Sequence, residues 1–116
     1  MVKNILISCA LLMSFVGSAN ADLLDKVKSG EPLTIGFTNI APWAYYDKNG
    51  ALVGQEPDIL KAVLERLGGG SIEGKIVDFS ALINDVKSKR IDIASAGIFI
   101  RPDRCQQVGF LSLIHI

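Results

Sequence analysis

Charge of either sign is scarce in this chain of 116 residues, where 12 Lys and Arg balance 12 Asp and Glu and charged residues make up 21%. A chain with no basic surplus is poorly suited to meet a run of phosphates, which argues against a nucleic-acid binder. Cysteine is scarcer still, at two, and histidine occurs once. Two cysteines cannot staple a miniprotein, and no cluster of Cys and His exists to hold structural zinc. Aromatic residues are few, with one Trp, two Tyr and five Phe. What the chain does have is apolar residues, 49% of the total. That share is too high for a disordered tail, and the length allows one small domain at most.

Part of the apolar excess is concentrated at the start. Lys3 gives a positive beginning, Ile5 to Val16 form an apolar stretch, and Ala19-Asn20-Ala21 has the small–x–small shape of a signal-peptidase site. Residues 1–21 are therefore expected to be a cleaved export signal. The stretch is shorter than the about 20 residues that span a bilayer, which disfavours an anchor. Leu6-Ile7-Ser8-Cys9 has a lipobox-like look, but cleavage there would leave too short an apolar run upstream. The processed chain would start at Asp22 with one acidic charge in excess and Cys105 as its one thiol. In an oxidising compartment outside the cytoplasm, such a lone thiol is either buried and inert or waiting for a partner.

Local patterns then set out the elements. Asp22 to Ser29 reads as a short helix stopped by Gly30, and Leu33 to Thr38 alternates as a strand. Tyr45-Tyr46 and Leu52-Val53 flank Asp47-Lys48-Asn49-Gly50, where Asn-Gly signals a hairpin. Pro57 opens a helix that runs to Leu67, with Ile59, Leu60, Val63, Leu64 and Leu67 at helical spacing. Lys75 to Phe79 is expected as a second strand, Ser80 as the cap of a helix carrying Leu82, Ile83 and Val86, and Ile91 to Ala96 as a third strand. Gly68-Gly69-Gly70 follows a helix and lacks a Lys-Thr pair, so it is no phosphate loop. This order predicts an α/β fold, a mostly parallel sheet with helices on both faces. Such sheets bind ligands at the carboxyl ends of their strands, here Thr38–Trp43, Phe79–Ser80 and Ala96–Arg104.

Those same segments carry a resemblance. Gly36-Phe37-Thr38-Asn39-Ile40-Ala41-Pro42-Trp43, Gly54 with Pro57-Asp58, Ile91-Asp92-Ile93-Ala94-Ser95-Ala96-Gly97-Ile98 and Arg101-Pro102-Asp103-Arg104 stand in the order found in periplasmic solute-binding proteins of polar amino-acid ABC importers. Within that family the chain most resembles its ectoine and hydroxyectoine binders. The resemblance implies a type II periplasmic binding fold, two lobes closing on a solute. Residues 22–110 would then be the first segment of lobe one. Leu111 to Ile116 is unlike the family and matches one reading frame of a sequencing-library adapter, so 111–116 is expected to be an adapter-derived tail, and His115 within it is given no role.

The family's arginine at the motif position of Arg104 holds the solute's carboxylate. Physically, a guanidinium offers a planar fork of donors and keeps its charge. The alternative is a surface arginine paired with Asp103 or another acid. Trp43, Phe79 and Phe99 would stand on three strand-end loops, and aromatics at these positions in ectoine binders form a box around a delocalised cation. Burial in the core is the alternative for each ring. Gly97 either offers its backbone to the ligand without a Cβ or merely makes a tight turn. Ile40 departs from the ectoine binders, where an acid at this position pairs with solute N–H groups. Asp58 reads as a first-turn helix acid and Tyr45 and Tyr46 as hairpin packing.

The expected function is non-catalytic capture of ectoine, hydroxyectoine or a similar small zwitterion outside the cytoplasm, for delivery to the membrane permease of an ABC importer. A monomer with no cofactor and no metal is expected, and the present chain would not be competent alone. A polar amino-acid binder is the alternative, with an exported dehydratase of the same fold less favoured.

Overall fold

The computed structural model describes residues 23–111. The expected signal segment 1–21, Asp22 and residues 112–116 lie outside the described residues. The first helix, α1, covers Leu23–Ser29 and buries Val27. Strand β1, Leu33–Phe37, follows and buries four of its five residues. Next come β2, Tyr45–Tyr46, and β3, Leu52–Val53, paired antiparallel across the Asn-Gly turn. The Asp47 carboxylate closes that turn by accepting the N–H groups of Asn49 and Ala51 at 2.8 and 2.9 Å. Those donors, Ala51 first, hold the carboxyl below the ordinary carboxylate range.

Helix α2 spans Gln55–Arg66, two residues earlier than expected at its start. Pro57 lies inside its first turn, where a missing N–H costs nothing because the first four donors have no partner within the helix. The remaining elements are β4, Ile72–Ile76, α3, Leu82–Lys87, β5, Ile93–Ala94, and a short helix α4, Pro102–Cys105. All three longer helices end alike. The N–H of the first residue past the cap returns to the carbonyl three residues back, and the next N–H to the carbonyl five back. The pairs are Gly30–Val27 with Glu31–Lys26, Gly68–Glu65 with Gly69–Leu64, and Lys89–Val86 with Arg90–Asp85.

The sheet has the order β4-β1-β5, parallel throughout, with Leu33 opposite Ile72, Phe37 opposite Ile76 and Ile35 opposite Ile93. Alternation along β1 splits the core in two. Leu33, Ile35 and Phe37 face Val27 of α1, Leu64 of α2 and Leu52 of the hairpin. The opposite side is packed by Leu82 of α3 with Val77, Ile91 and Ala96. Helices thus cover both faces, as the element order requires.

Three expectations need correction. The second strand is Ile72–Ile76, not Lys75–Phe79, because β1 sets its register. The ladder runs from Leu33 N–H on Ser71 O to Val77 N–H on Phe37 O, 2.9 Å each, and β1 has no residue left to pair with Phe79. Gly74 inside β4 weakens the strand signal but is needed for packing, since a Cβ there would stand 2.6 Å from the Tyr46 hydroxyl oxygen. That hydroxyl donates to Gly74 O at 3.0 Å, and the Tyr46 ring meets Phe37 edge to face at 5.1 Å. Ser80 does not cap α3: the Ala81 N–H closes a turn on Asp78 O, and the helix starts one residue later. The third strand keeps only Ile93–Ala94 of the expected Ile91–Ala96: its backbone bonds to β1 end with Asp92 N–H on Thr34 O at 2.9 Å and Ser95 N–H on Gly36 O at 2.8 Å, and beyond them the Gly97 N–H turns to a side-chain acceptor described below.

Asp92 clamps the ends of this chain segment together. Its carboxylate takes Lys26 Nζ of α1 at 2.8 and 3.0 Å and the Thr34 N–H of β1 at 2.9 Å. Asp92→Ala strands a strand N–H and leaves Lys26 without its counter-charge, so the chain is expected to lose about 1–3 kcal/mol of stability. A urea titration followed by far-UV circular dichroism measures this, and an unaltered midpoint would show that the clamp contributes nothing.

Candidate functional site

Three loops and one helix end meet at the carboxyl edge of the sheet. The first loop leaves β1 and carries Trp43 behind a cis Ala41–Pro42 bond. It is tied to α2 through that helix's own N-terminus. The N–H groups of Gln55 and Glu56, which have no acceptor within the helix, donate to Pro42 O at 2.9 Å and Trp43 O at 3.1 Å. Such closeness requires glycine at the helix N-cap. Gly54 has φ +129°, and a Cβ on it would meet Trp43 O at 2.5 Å.

The loop after β5 reaches the same helix end by another route. The Glu56 carboxylate accepts the Ser95 hydroxyl at 2.8 Å through Oε2 and the Gly97 N–H at 2.7 Å through Oε1. Gly97, at φ +62°, lies under the indole: a Cβ there would stand 3.3 Å from Trp43 Cδ2. Trp43 and Gly97 are therefore brought together, with the ring resting on bare backbone.

Arg104 is placed by α4, which begins with Pro102 at its first position. Its Nη1 donates to Phe99 O at 2.9 Å, and its guanidinium carbon stands 5.7 Å from the Phe79 ring centroid, within cation–π range. Asp103 is engaged by Arg101 at 3.0 Å, and the alternative surface pairing of Arg104 with Asp103 is not formed. Among the described residues no acid lies within ion-pair distance of Arg104. Arg104 and Phe79, with Ser80, Asn84 and Gln107, line a cavity of about 290 Å³.

The five residues singled out from sequence thus form two neighbouring groups joined by the segment 97–104. One is Trp43 on Gly97; the other is Arg104 over Phe79 with the Phe99 carbonyl. Within the described residues the three rings are exposed, Trp43 by 43%, Phe79 by 47% and Phe99 by 81%, and none belongs to either core cluster. The Phe99 ring lines neither the Arg104 cavity nor the contact with Gly97. Ile40 is also exposed, by 55%. Among the described residues Cys105 is free and exposed. Asp58 keeps the role of a first-turn acid beside Lys61 at 3.7 Å. Sequence reasoning missed Glu56. It lies two residues before Asp58 in the same turn, and its partners are 39 and 41 residues away.

Comparison with known proteins fits this geometry. The chain is 38% identical over 92 residues to a probable amino-acid ABC transporter periplasmic-binding protein of Sinorhizobium fredii, covering 78% of the chain and 31% of that protein. It is 30% identical over 117 residues to the arginine-binding extracellular protein of Bacillus subtilis, covering 99% of the chain and 45% of that protein. The crystal structure of EhuB in complex with hydroxyectoine superposes with a TM-score of 0.71 at 27% identity, over 76% of the chain and 34% of that structure. The chain therefore spans less than half the length of these relatives, and the sheet with its covering helices is part of a type II periplasmic binding fold. A family model matches residues 33–114, from the first strand through α4, and the chain accordingly belongs to the bacterial extracellular solute-binding proteins, family 3.

Proposed function

We propose that this chain supplies the first lobe's contacts in a solute-binding component of an ABC importer, working outside the cytoplasm and handing its solute to a membrane permease. The solute is a small zwitterion that places a carboxylate on Arg104 and a planar, delocalised cation against Trp43, Phe79 and Phe99. The observation that carries this reading is the state of Arg104. The guanidinium is fixed by one carbonyl and one ring face, and among the described residues no acid neutralises it. A half-buried fork with donors to spare is suited to a bidentate carboxylate. Gly97 adds backbone that a ligand can approach, and the partly exposed aromatic faces favour a cation once water is displaced.

Both ectoines and arginine combine a carboxylate with a planar cation, an amidinium in one and a guanidinium in the other. Hydroxyectoine in the EhuB structure supports the first, and the arginine-binding relative in Bacillus subtilis supports the second. Ile40 weakens the case for ectoine, because isoleucine cannot accept the ring N–H groups and a buried donor left alone costs about 1–3 kcal/mol, and it leaves other cationic or zwitterionic solutes in play. The protein acts as a monomer and binds without catalysis.

Effective pockets enclose about 70–90% of a ligand, so the test uses the protein carried to the length of its relatives. Titration calorimetry with ectoine, hydroxyectoine, arginine, glutamine and a neutral sugar is expected to show saturable binding led by the zwitterions with planar cations. Binding of the sugar alone, or of nothing in the panel, overturns the reading. A lead by glutamine keeps the carboxylate site and removes the cation box.

A further inference from the structure

We propose that Glu56 is a positioning residue of this site, the group that seats the Trp43 ring on Gly97 and sets the direction of the backbone after β5. The inference rests on the reading of Trp43 and Gly97 as solute contacts. Nothing places Glu56 itself against the solute: both of its oxygens are already engaged within the chain.

The argument comes from what converges on this one residue. Its backbone N–H holds the Trp43 carbonyl at 3.1 Å, which fixes the height of the first loop. Its carboxylate holds the Gly97 N–H at 2.7 Å and the Ser95 hydroxyl at 2.8 Å, which fixes the third loop. The indole and Gly97 touch only because both loops are tied to the same residue. Without the carboxylate, the loop after β5 has one backbone bond at its start, Ser95 N–H on Gly36 O at 2.8 Å, and among the described residues no backbone–backbone bond from Gly97 to Ile100 keeps it under the ring. Bonds to an ionised acceptor are shorter and stronger than neutral ones, and the 2.7 Å distance at Gly97 belongs to that class. Ser95 is buried, so its hydroxyl has no water to turn to if the carboxylate leaves.

Trp43 is the chain's sole tryptophan, so fluorescence excited beyond the absorption of Tyr45 and Tyr46 reports on the surroundings of this indole. The experiment compares Glu56→Ala, Glu56→Asp and Glu56→Gln with the parent in the full 116-residue chain, without solute. The readouts are the emission maximum, acrylamide quenching and far-UV circular dichroism. Glu56→Ala is expected to shift emission to longer wavelength and to increase quenching, while the helical signal persists. Glu56→Asp keeps the charge but withdraws the acceptor by one methylene, so it moves both fluorescence readouts the same way. Glu56→Gln is expected to stay near the parent, because the amide oxygen can accept Gly97 N–H and the amide nitrogen can donate to Ser95 Oγ.

The proposal is overturned if Glu56→Ala and Glu56→Asp both keep the parent's emission and quenching, or if Glu56→Gln is displaced as far as Glu56→Ala. Should Glu56→Ala not fold, the contrast between the aspartate and glutamine variants decides alone. A merely structural role would lower stability in all three variants without this ordering of the indole signal. Because no solute is added, the outcome is independent of whether Arg104 receives a carboxylate.

Discussion

Arg104→Ala, in the protein carried to the length of its relatives, is expected to weaken solute binding by about 30- to 5,000-fold. That range corresponds to about 2–5 kcal/mol for truncating one partner of a buried, hydrogen-bonded charge pair. The loss is large because the substitution removes the fork and leaves the solute's carboxylate, once enclosed, without its counter-charge. Arg104→Lys tests the fork separately: it keeps the charge but offers a point donor on a flexible stem, so it restores only part of the affinity. The fold should not suffer, since the guanidinium makes one hydrogen bond, to Phe99 O, and one ring contact at the rim of α4. Calorimetry paired with a thermal melt distinguishes the two effects. Unchanged affinity with an unchanged melt would remove Arg104 from the site.

The second large effect is on stability. Gly54→Ala places a methyl group 2.5 Å from Trp43 O, 2.9 Å from Trp43 C and 3.0 Å from Pro42 O. These atoms are backbone and cannot swing aside as a side-chain tip could. Two of them are also the oxygens that satisfy the free N–H groups of α2, so relief of the clash breaks the bonds that join loop to helix. The φ of +129° adds strain for any residue with a Cβ. Together, overpacking and strain are expected to cost about 2–5 kcal/mol. Gly50→Ala is the matching control, because Gly50 also has positive φ but has nothing within 4 Å of its would-be Cβ. Urea titrations of both variants measure the difference. Equal midpoints would mean that the loop yields freely and that the close approach is incidental.

What could be read from sequence divides along a physical line. Elements whose signals are local were placed well. Leu23, Leu24 and Val27 make α1, Asn49-Gly50 makes the hairpin turn, and the repeat of Ile59, Leu60, Val63 and Leu64 makes α2. Features that depend on a distant partner were not. The position of β4 follows from β1 and from the Tyr46 hydroxyl over Gly74, 28 residues away in sequence. Ser80 has the chemistry of a cap, but the turn from Asp78 to Ala81 displaces it. The four residues of α4 are too few for any periodicity, although Pro102 at its start was a usable sign. For the site, the strand-end rule and the family resemblance drew attention to Arg104 and the aromatics, although Phe79 lies three residues past the end of its strand, whereas Glu56 looked like any acid favoured by a helix dipole. Its importance lies in two bonds that exist only after β5 has docked.

The order of the sheet bears on how this chain comes into being. Its central strand, β1, is made first, yet both of its neighbours lie downstream, at residues 72–76 and 93–94. As the chain emerges from the ribosome, the middle of the future sheet stays without either flank until most of the described segment has followed. Parallel pairing of this kind requires closing long loops before any ladder bond rewards it, which makes it slow. If the protein is exported unfolded, as the expected signal segment implies, slow pairing of this kind would favour its crossing in the extended state.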